Sequence, residues 1–175
     1  HSLYPAYKAN RSAKPIDLVT QLVTARKVSE AFGFANFQVS AYEADDLLGM
    51  LSLLGPCEIL TGDRDLFQLV NDQVTVTIDS KRHNELDVFE RMGVFPHRIA
   101  DFKGLAGDTS DNIPGVPGVG TIIAVELLKQ FDNIEGIYEN LDQVTRPKVR
   151  ENLAQYQEQA YISRELATLA IVPDI

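Results

Sequence analysis

The sequence predicts an α/β sheet domain followed by an all-helical one. Three observations carry that reading. Short β-branched runs alternate with helical spacing up to about residue 92, strand signals stop at 93–95, and helical periodicity dominates the remainder of the chain. The boundary falls there, giving one domain over 1–94 and a second over 95–175. With 175 residues, 45% of them hydrophobic, the chain can bury a core in one large domain or two small ones.

Taken in order, residues 4–11 (Tyr-Pro-Ala-Tyr-Lys-Ala-Asn-Arg) read as loop. Lys8 and Arg11 lie one helical turn apart, flanked by Tyr4 and Tyr7. They are either a solvated basic edge or a phosphate-facing pair beside a ring able to stack on a base. A helix is expected from Pro15, with Leu18, Leu22, Ala25, Val28 and Phe32 forming a core stripe and Gly33 ending it. A short strand is expected over 37–39. Glu43-Ala44-Asp45-Asp46 opens an apolar helix that Gly55-Pro56 stops. A strand over 57–61 leads into Gly62-Asp63-Arg64-Asp65, and 74–78 alternates as a third strand. A polar turn over 81–84 and a short helix over 87–92 complete the first domain. Helices are then expected over 96–106, 119–131, 134–141 and, as one long stretch, 147–170.

The chemistry concentrates in acids and glycines. In Gly107-Asp108-Thr109-Ser110-Asp111-Asn112-Ile113-Pro114, the two carboxylates sit three residues apart, the spacing of one helical face, and can address one cation. Gly115, Gly118 and Gly120 come next, with Pro117 among them. They suggest a tight turn with uncovered N–H groups ahead of a helix, a natural seat for phosphate. Acids at 43–46 are also explained by helix capping, and those at 63–65 by an Asx turn. Three such clusters in one chain exceed what capping needs. Ligand sites of open parallel sheets lie beyond strand C-termini, which suits the second cluster.

The net charge of −9 argues at first against a nucleic-acid partner, but seven of the acids lie in those clusters, where metal would neutralise them. One cysteine, Cys57, excludes an internal disulfide, reads as core packing, and fits a reducing, cytoplasmic setting. No apolar run reaches bilayer length, so no membrane is expected. His83 and His97 have no partner at metal-ligand spacing and read as surface residues. Zincin, serine-hydrolase and paired-cysteine patterns are absent.

Four motifs in order resemble the bacterial and phage 5′-3′ exonuclease and flap endonuclease family, which includes the N-terminal domain of DNA polymerase I. They are Tyr-Lys-Ala-Asn-Arg at 7–11, Glu-Ala-Asp-Asp at 43–46, Thr-Gly-Asp-Arg-Asp-Leu at 61–66, and the glycine-rich run at 107–120. The resemblance implies a resolvase-like (PIN-like) sheet domain and a helix-three-turn-helix domain. It implies that Glu43, Asp45, Asp46, Asp63, Asp65, Asp108 and Asp111 bind two Mg²⁺ or Mn²⁺ ions. It further implies that Lys8 and Arg11 contact the scissile phosphate, with Tyr7 beside them. The turn formed by Gly115, Val116, Gly118, Val119 and Gly120 would grip duplex backbone and can hold K⁺. The implied activity is cleavage of DNA at 5′ ends and flaps in replication and repair, with a polymerase domain as a partner in a full-length chain.

Departures from that family are expected to matter. Its first strand and two further aspartates would lie before His1, so cleavage by the chain as given is expected to be poor, with metal binding better preserved. The helix after Asp46 is short. Thr121-Ile122-Ile123 stands where Pro and Lys are usual, which removes a phosphate contact. A two-metal mechanism needs no nucleophilic side chain, matching the lack of a Ser/His or Cys/His arrangement. The alternatives are a non-catalytic DNA-binding remnant, which has no use for seven carboxylates, and a haloacid-dehalogenase-type phosphatase, which lacks its early Asp-x-Asp motif.

Overall fold

The structure is a computed structural model that describes residues 3–40 and 42–170. Its sheet has three strands. β1 (Cys57–Leu60) runs parallel to β2 (Val74–Ile78), and β2 runs antiparallel to β3 (Lys81–His83), in the order β1-β2-β3. Val74, Val76 and Ile78 point alternately into the core, as the period of two requires. β3 occupies the stretch expected to be a polar turn. The turn is instead Asp79-Ser80, both at positive φ (51° and 65°), the backbone of a two-residue hairpin. Lys81 and Arg82 disguise the strand, yet charged residues are ordinary on a sheet edge. His83, expected at the surface, is 1% exposed and lies edge-on to Phe67. Neither ring nitrogen has a partner among the described residues, and burial pushes its pKa down.

The helices are α1 (Ile16–Ala31), α2 (Ala44–Ser52), α3 (Glu85–Met92), α4 (Ile99–Ala106), α5 (Thr121–Phe131), α6 (Ile134–Glu139), α7 (Pro147–Gln155) and α8 (Gln157–Ala167). Short 3₁₀ turns occupy Arg64–Leu69, Pro96–Arg98 and Leu141–Gln143. The expected long C-terminal helix breaks at Tyr156 (φ −111°, ψ 27°) into α7 and α8. No helix among the described residues is long and apolar enough to cross a membrane.

α1 forms where its spacing predicts, but its stripe is not core: none of its residues is buried. An apolar face becomes core only when another element lies on it. The side-chain hydrogen bonds of Arg26 run to Glu30 in the helix and Gln38 just beyond it. Residues 37–39 are irregular rather than a strand, since no strand of the sheet pairs with them. Cys57 is free and half-buried, not fully packed.

α4 is the structural centre. Ile99, Phe102 and Leu105 are buried, and so are Asp101, Lys103 and Gly104. A Cβ on Gly104 would lie 2.9 Å from Arg164 Cβ and 3.1 Å from the Ala160 carbonyl oxygen, so α8 crosses α4 at a distance only glycine permits. That packing joins the sheet side to the helical side through one core.

Candidate nuclease site

The N-terminal loop is strapped onto the loop over 108–113. Asn112 Nδ2 donates to the Ala6 carbonyl (2.6 Å), the Lys8 N–H to the Asp111 carbonyl (2.9 Å), and Asn10 Nδ2 to the Thr109 carbonyl (2.9 Å). Lys8 holds a left-handed backbone (φ 57°), uncommon for a residue with a Cβ. The Lys8 ammonium then reaches the Glu43 carboxylate and lies 3.7 Å from Asp111, with Tyr7 4.9 Å beneath it. Arg11 pairs with Asp111.

The acids at the start of α2 divide their work. Glu43 caps the helix, and the Asp46 side chain accepts the Glu43 N–H (3.0 Å) to close a capping box. The other Asp46 oxygen accepts the Ala170 N–H (2.8 Å), so the chain beyond α8 is tied across this end of α2. Asp45 belongs to neither arrangement and faces the cleft. Beyond β1, Asp63 accepts the Asp65 N–H (2.9 Å) and caps the 3₁₀ turn.

Asp65 and Asp108 share one cation, the buried Lys103 ammonium, which lies 2.7 Å from Asp108. Asp108 also accepts the Ser110 N–H (2.8 Å) and hydroxyl (2.5 Å). Asp108 and Asp111 are not on a helical turn. Asp108 pairs with Ile113 in a small antiparallel bridge, so the loop reverses and delivers Asp108 to Lys103 and Asp111 to Lys8 and Arg11.

Two adjoining clefts result. The first, ≈ 240 Å³, is lined by Lys8, Glu43, Asp45, Asp46 and Asp111. The second, ≈ 570 Å³, is lined by Asp63, Lys103, Asp108 and Ser110. Asp65 and Ile113 belong to both. All seven acids therefore meet along one surface.

Electrostatics matches that crowding. Burial, then the charges of Asp63, Glu43 and Asp65, pushes Asp45 up. Burial also pushes Asp65 up, against the pull of Lys103. Asp108 goes the other way: burial is outweighed by hydrogen bonds from Lys103 and Ser110, which hold it at about 2. Burial would lower Lys103, but Asp65 and Asp108 raise it on balance. Carboxylates crowded into low dielectric favour a cation among them, and two lysines answer that demand within the protein.

The donor chemistry fits a hard divalent ion: the cleft offers carboxylate oxygens and no thiolate. Among the described residues no three acids stand close enough to hold an ion by themselves.

The glycine turn is more enclosed than its composition suggests. The Gly115 N–H donates to Ser163 Oγ (3.0 Å), and the Val116 N–H to the Leu105 carbonyl (2.8 Å). The Val119 N–H donates to the Val116 carbonyl (2.9 Å). Val116 and Val119 are buried. A Cβ on Gly115 would sit 2.3 Å from the Gly107 nitrogen, so these two loop ends cross in contact. Gln159 donates to the Gly115 carbonyl (2.5 Å) and Asn152 to that of Pro117 (2.7 Å), which clamps the turn from α7 and α8. Gly118 and Gly120 are exposed, and their N–H groups make no hydrogen bond among the described residues. Beside them the start of α5 has no side-chain cap. The open donors are thus at 118–123, and Gly115, Val116 and Val119 form the inner wall.

Sequence reasoning missed Lys103, Asn152, Gln159 and Ser163. A lone lysine in the apolar run Ile-Ala-Asp-Phe-Lys-Gly-Leu-Ala was the one available signal. The others sit in helices whose faces cannot be aimed without the fold.

Comparison with known proteins agrees with this architecture. Residues 1–93 match the 5′-3′ exonuclease N-terminal resolvase-like domain, and residues 94–174 match the 5′-3′ exonuclease C-terminal SAM fold. The chain is 38% identical over 180 residues to DNA polymerase I of Bacillus subtilis, with 97% of this chain and 20% of the relative covered. It is 39% identical over 175 residues to the thermostable DNA polymerase I of Thermus filiformis, with 97% and 21% covered. The chain thus spans about a fifth of the length of these relatives. In fold it resembles the bacteriophage T5 5′-exonuclease with divalent zinc ions bound. That likeness has a TM-score of 0.79 at 24% identity, covering 96% of this chain and 69% of the other. By sequence and by both halves of its fold, the chain belongs to the 5′-3′ exonuclease family.

Proposed function

We propose that this chain hydrolyses DNA phosphodiesters with divalent metal ions, acting at 5′ ends and 5′ flaps. The observation that carries the reading is the meeting of three carboxylate clusters, from distant parts of the chain, along two clefts with Lys8 and Arg11 at the rim. Asp45, Asp63, Asp65 and Asp108 would hold Mg²⁺ or Mn²⁺, with Glu43, Asp46 and Asp111 beside them. Bound there, two ions supply an activated water and neutralise the leaving oxygen. Lys8 and Arg11 exchange their carboxylate partners for the phosphoryl oxygens, placing positive charge where negative charge develops. Tyr7, whose ring already carries the Lys8 ammonium, offers a face to the terminal base. Gly118, Gly120 and the start of α5 grip duplex backbone through N–H donors, clamped from behind by Asn152, and the same turn takes K⁺. The DNA polymerase I relatives support a polymerase domain in the same full-length protein, and with it a cytoplasmic role in replication and repair.

The test is cleavage of a labelled 5′-flap duplex. Turnover by the full-length protein in Mg²⁺, lost with chelator and lost again in Asp63→Asn, is the expected result. Flap binding without cleavage in either Mg²⁺ or Mn²⁺ would instead identify a DNA-binding module.

A further inference from the structure

At the far end of α5 from the glycine turn lies a separate, aromatic cleft of ≈ 380 Å³. Phe89 and Phe95 stack with centroids 4.6 Å apart and planes 27° from parallel. His97 lies 10° from parallel to Phe95 at 6.1 Å. Lys129 Nζ sits 5.5 Å from the centre of the Phe89 ring and forms no ion pair among the described residues. On the opposite rim Arg98 is paired with both Asp101 and Asp132. Phe95 is 40% exposed and His97 is open to solvent. Nothing in the catalytic reading uses these groups.

We infer that this shelf binds an unpaired nucleobase of single-stranded DNA, with Lys129 taking the adjoining phosphate. Phe95 and His97 leave flat ring surface open to solvent that suits any base, and base-on-ring stacking tolerates all sequences. The volume suits one or two planar heterocycles, well short of a groove for a helix. An unpaired ammonium beside the rings adds the electrostatic half of such a site. α5 has 11 residues, so the shelf stands about 16 Å along its axis from the turn. A strand leaving duplex held at the turn can reach it. The inference rests on the proposed nuclease function and adds a subsite to it.

The sequence contains no tryptophan, so Phe95→Trp supplies a single indole, excited apart from the six tyrosines, in the shelf. Oligothymidylate should quench the introduced indole, and a blunt duplex should not. Phe89→Leu and Lys129→Ala should each weaken oligothymidylate binding about tenfold by anisotropy, while flap cleavage keeps its rate at saturating substrate. An indole that ignores oligothymidylate, or responds equally to blunt duplex, while flap cleavage is intact overturns the shelf and leaves the nuclease reading standing. A response to an apolar acidic peptide and not to DNA marks a protein-docking face and overturns it as well. Failure to bind any DNA overturns both readings.

Discussion

Two lysines each bridge carboxylates from distant parts of the chain, and they differ in what holds them. Lys103 projects from α4, buried on every side, and its side chain is 8% exposed. Lys8 lies on a loop and is nearly as covered, 12% exposed at the side chain, but one of its partners, Glu43, is 52% exposed. The first is a fixed internal charge whose removal strands Asp65 and Asp108 in low dielectric. The second is a charge at an opening, where a solvated carboxylate can be traded for a phosphate. Similar pairings therefore belong to different links, one to folding and the other to substrate binding.

The largest expected effect separates them. Lys103→Met keeps the apolar stem but leaves two half-buried carboxylates without their cation, so it should cost roughly 3 kcal/mol in urea unfolding at neutral pH. Lys8→Met should cost less, about 1 kcal/mol, because Glu43 opens to solvent and Arg11 still pairs with Asp111. Flap cleavage should rank oppositely for the folded proteins, with Lys8→Met losing on the order of 10²-fold in turnover. Equal stability losses would show that the contrast between the two sets of partners has no energetic consequence.

Acid sharpens the same contrast within the second cleft. The Asp108 pKa of about 2 lies below its ordinary 3.8. Its contribution is therefore complete above about pH 4 and is lost as pH falls toward 2, about 2 kcal/mol in all. Asp45 and Asp65 are raised instead, so they cost stability once ionised, and that cost disappears as pH falls through their folded pKa values. Asp45→Asn should consequently stabilise the protein at pH 7 and change little at pH 3. Urea midpoints of both proteins at the two pH values measure this. A gain that persists at pH 3 would assign the effect to packing rather than charge.

How much of the fold and site was legible in the sequence depends on the range of the interactions. The acids announced themselves because capping could not account for three clusters, and local apolar periodicity located most helices. What stayed hidden depends on partners. α1 has the spacing of a core helix and buries nothing, whereas α4 carries an aspartate and a lysine and is buried all round. β3 was masked by Lys81 and Arg82, since strand character there comes from pairing with β2. The glycine turn was legible as a turn, but Ser163, Gln159 and Asn152 decide which N–H groups remain open.

The smallest expected effect concerns that open part of the turn. Ile122 is 73% exposed on the first turn of α5, beside the unbonded N–H groups of Gly118 and Gly120. Binding there should depend on phosphate contacts and not on sequence, because backbone donors cannot read base edges. Ile122→Lys adds one cation within reach of the same phosphates. Each phosphate neutralised on duplex DNA releases counterions, so the slope of log affinity against log salt should steepen by about 0.9. The gain should be severalfold at low salt, equal for unrelated sequences, and nearly gone at high salt. Because Ile122 is exposed, the fold should tolerate the change within about 0.5 kcal/mol. An unchanged slope on a blunt duplex would mean that 118–123 faces no phosphate, and that the turn serves only to cross Gly107 and deliver Asp108 to its cleft.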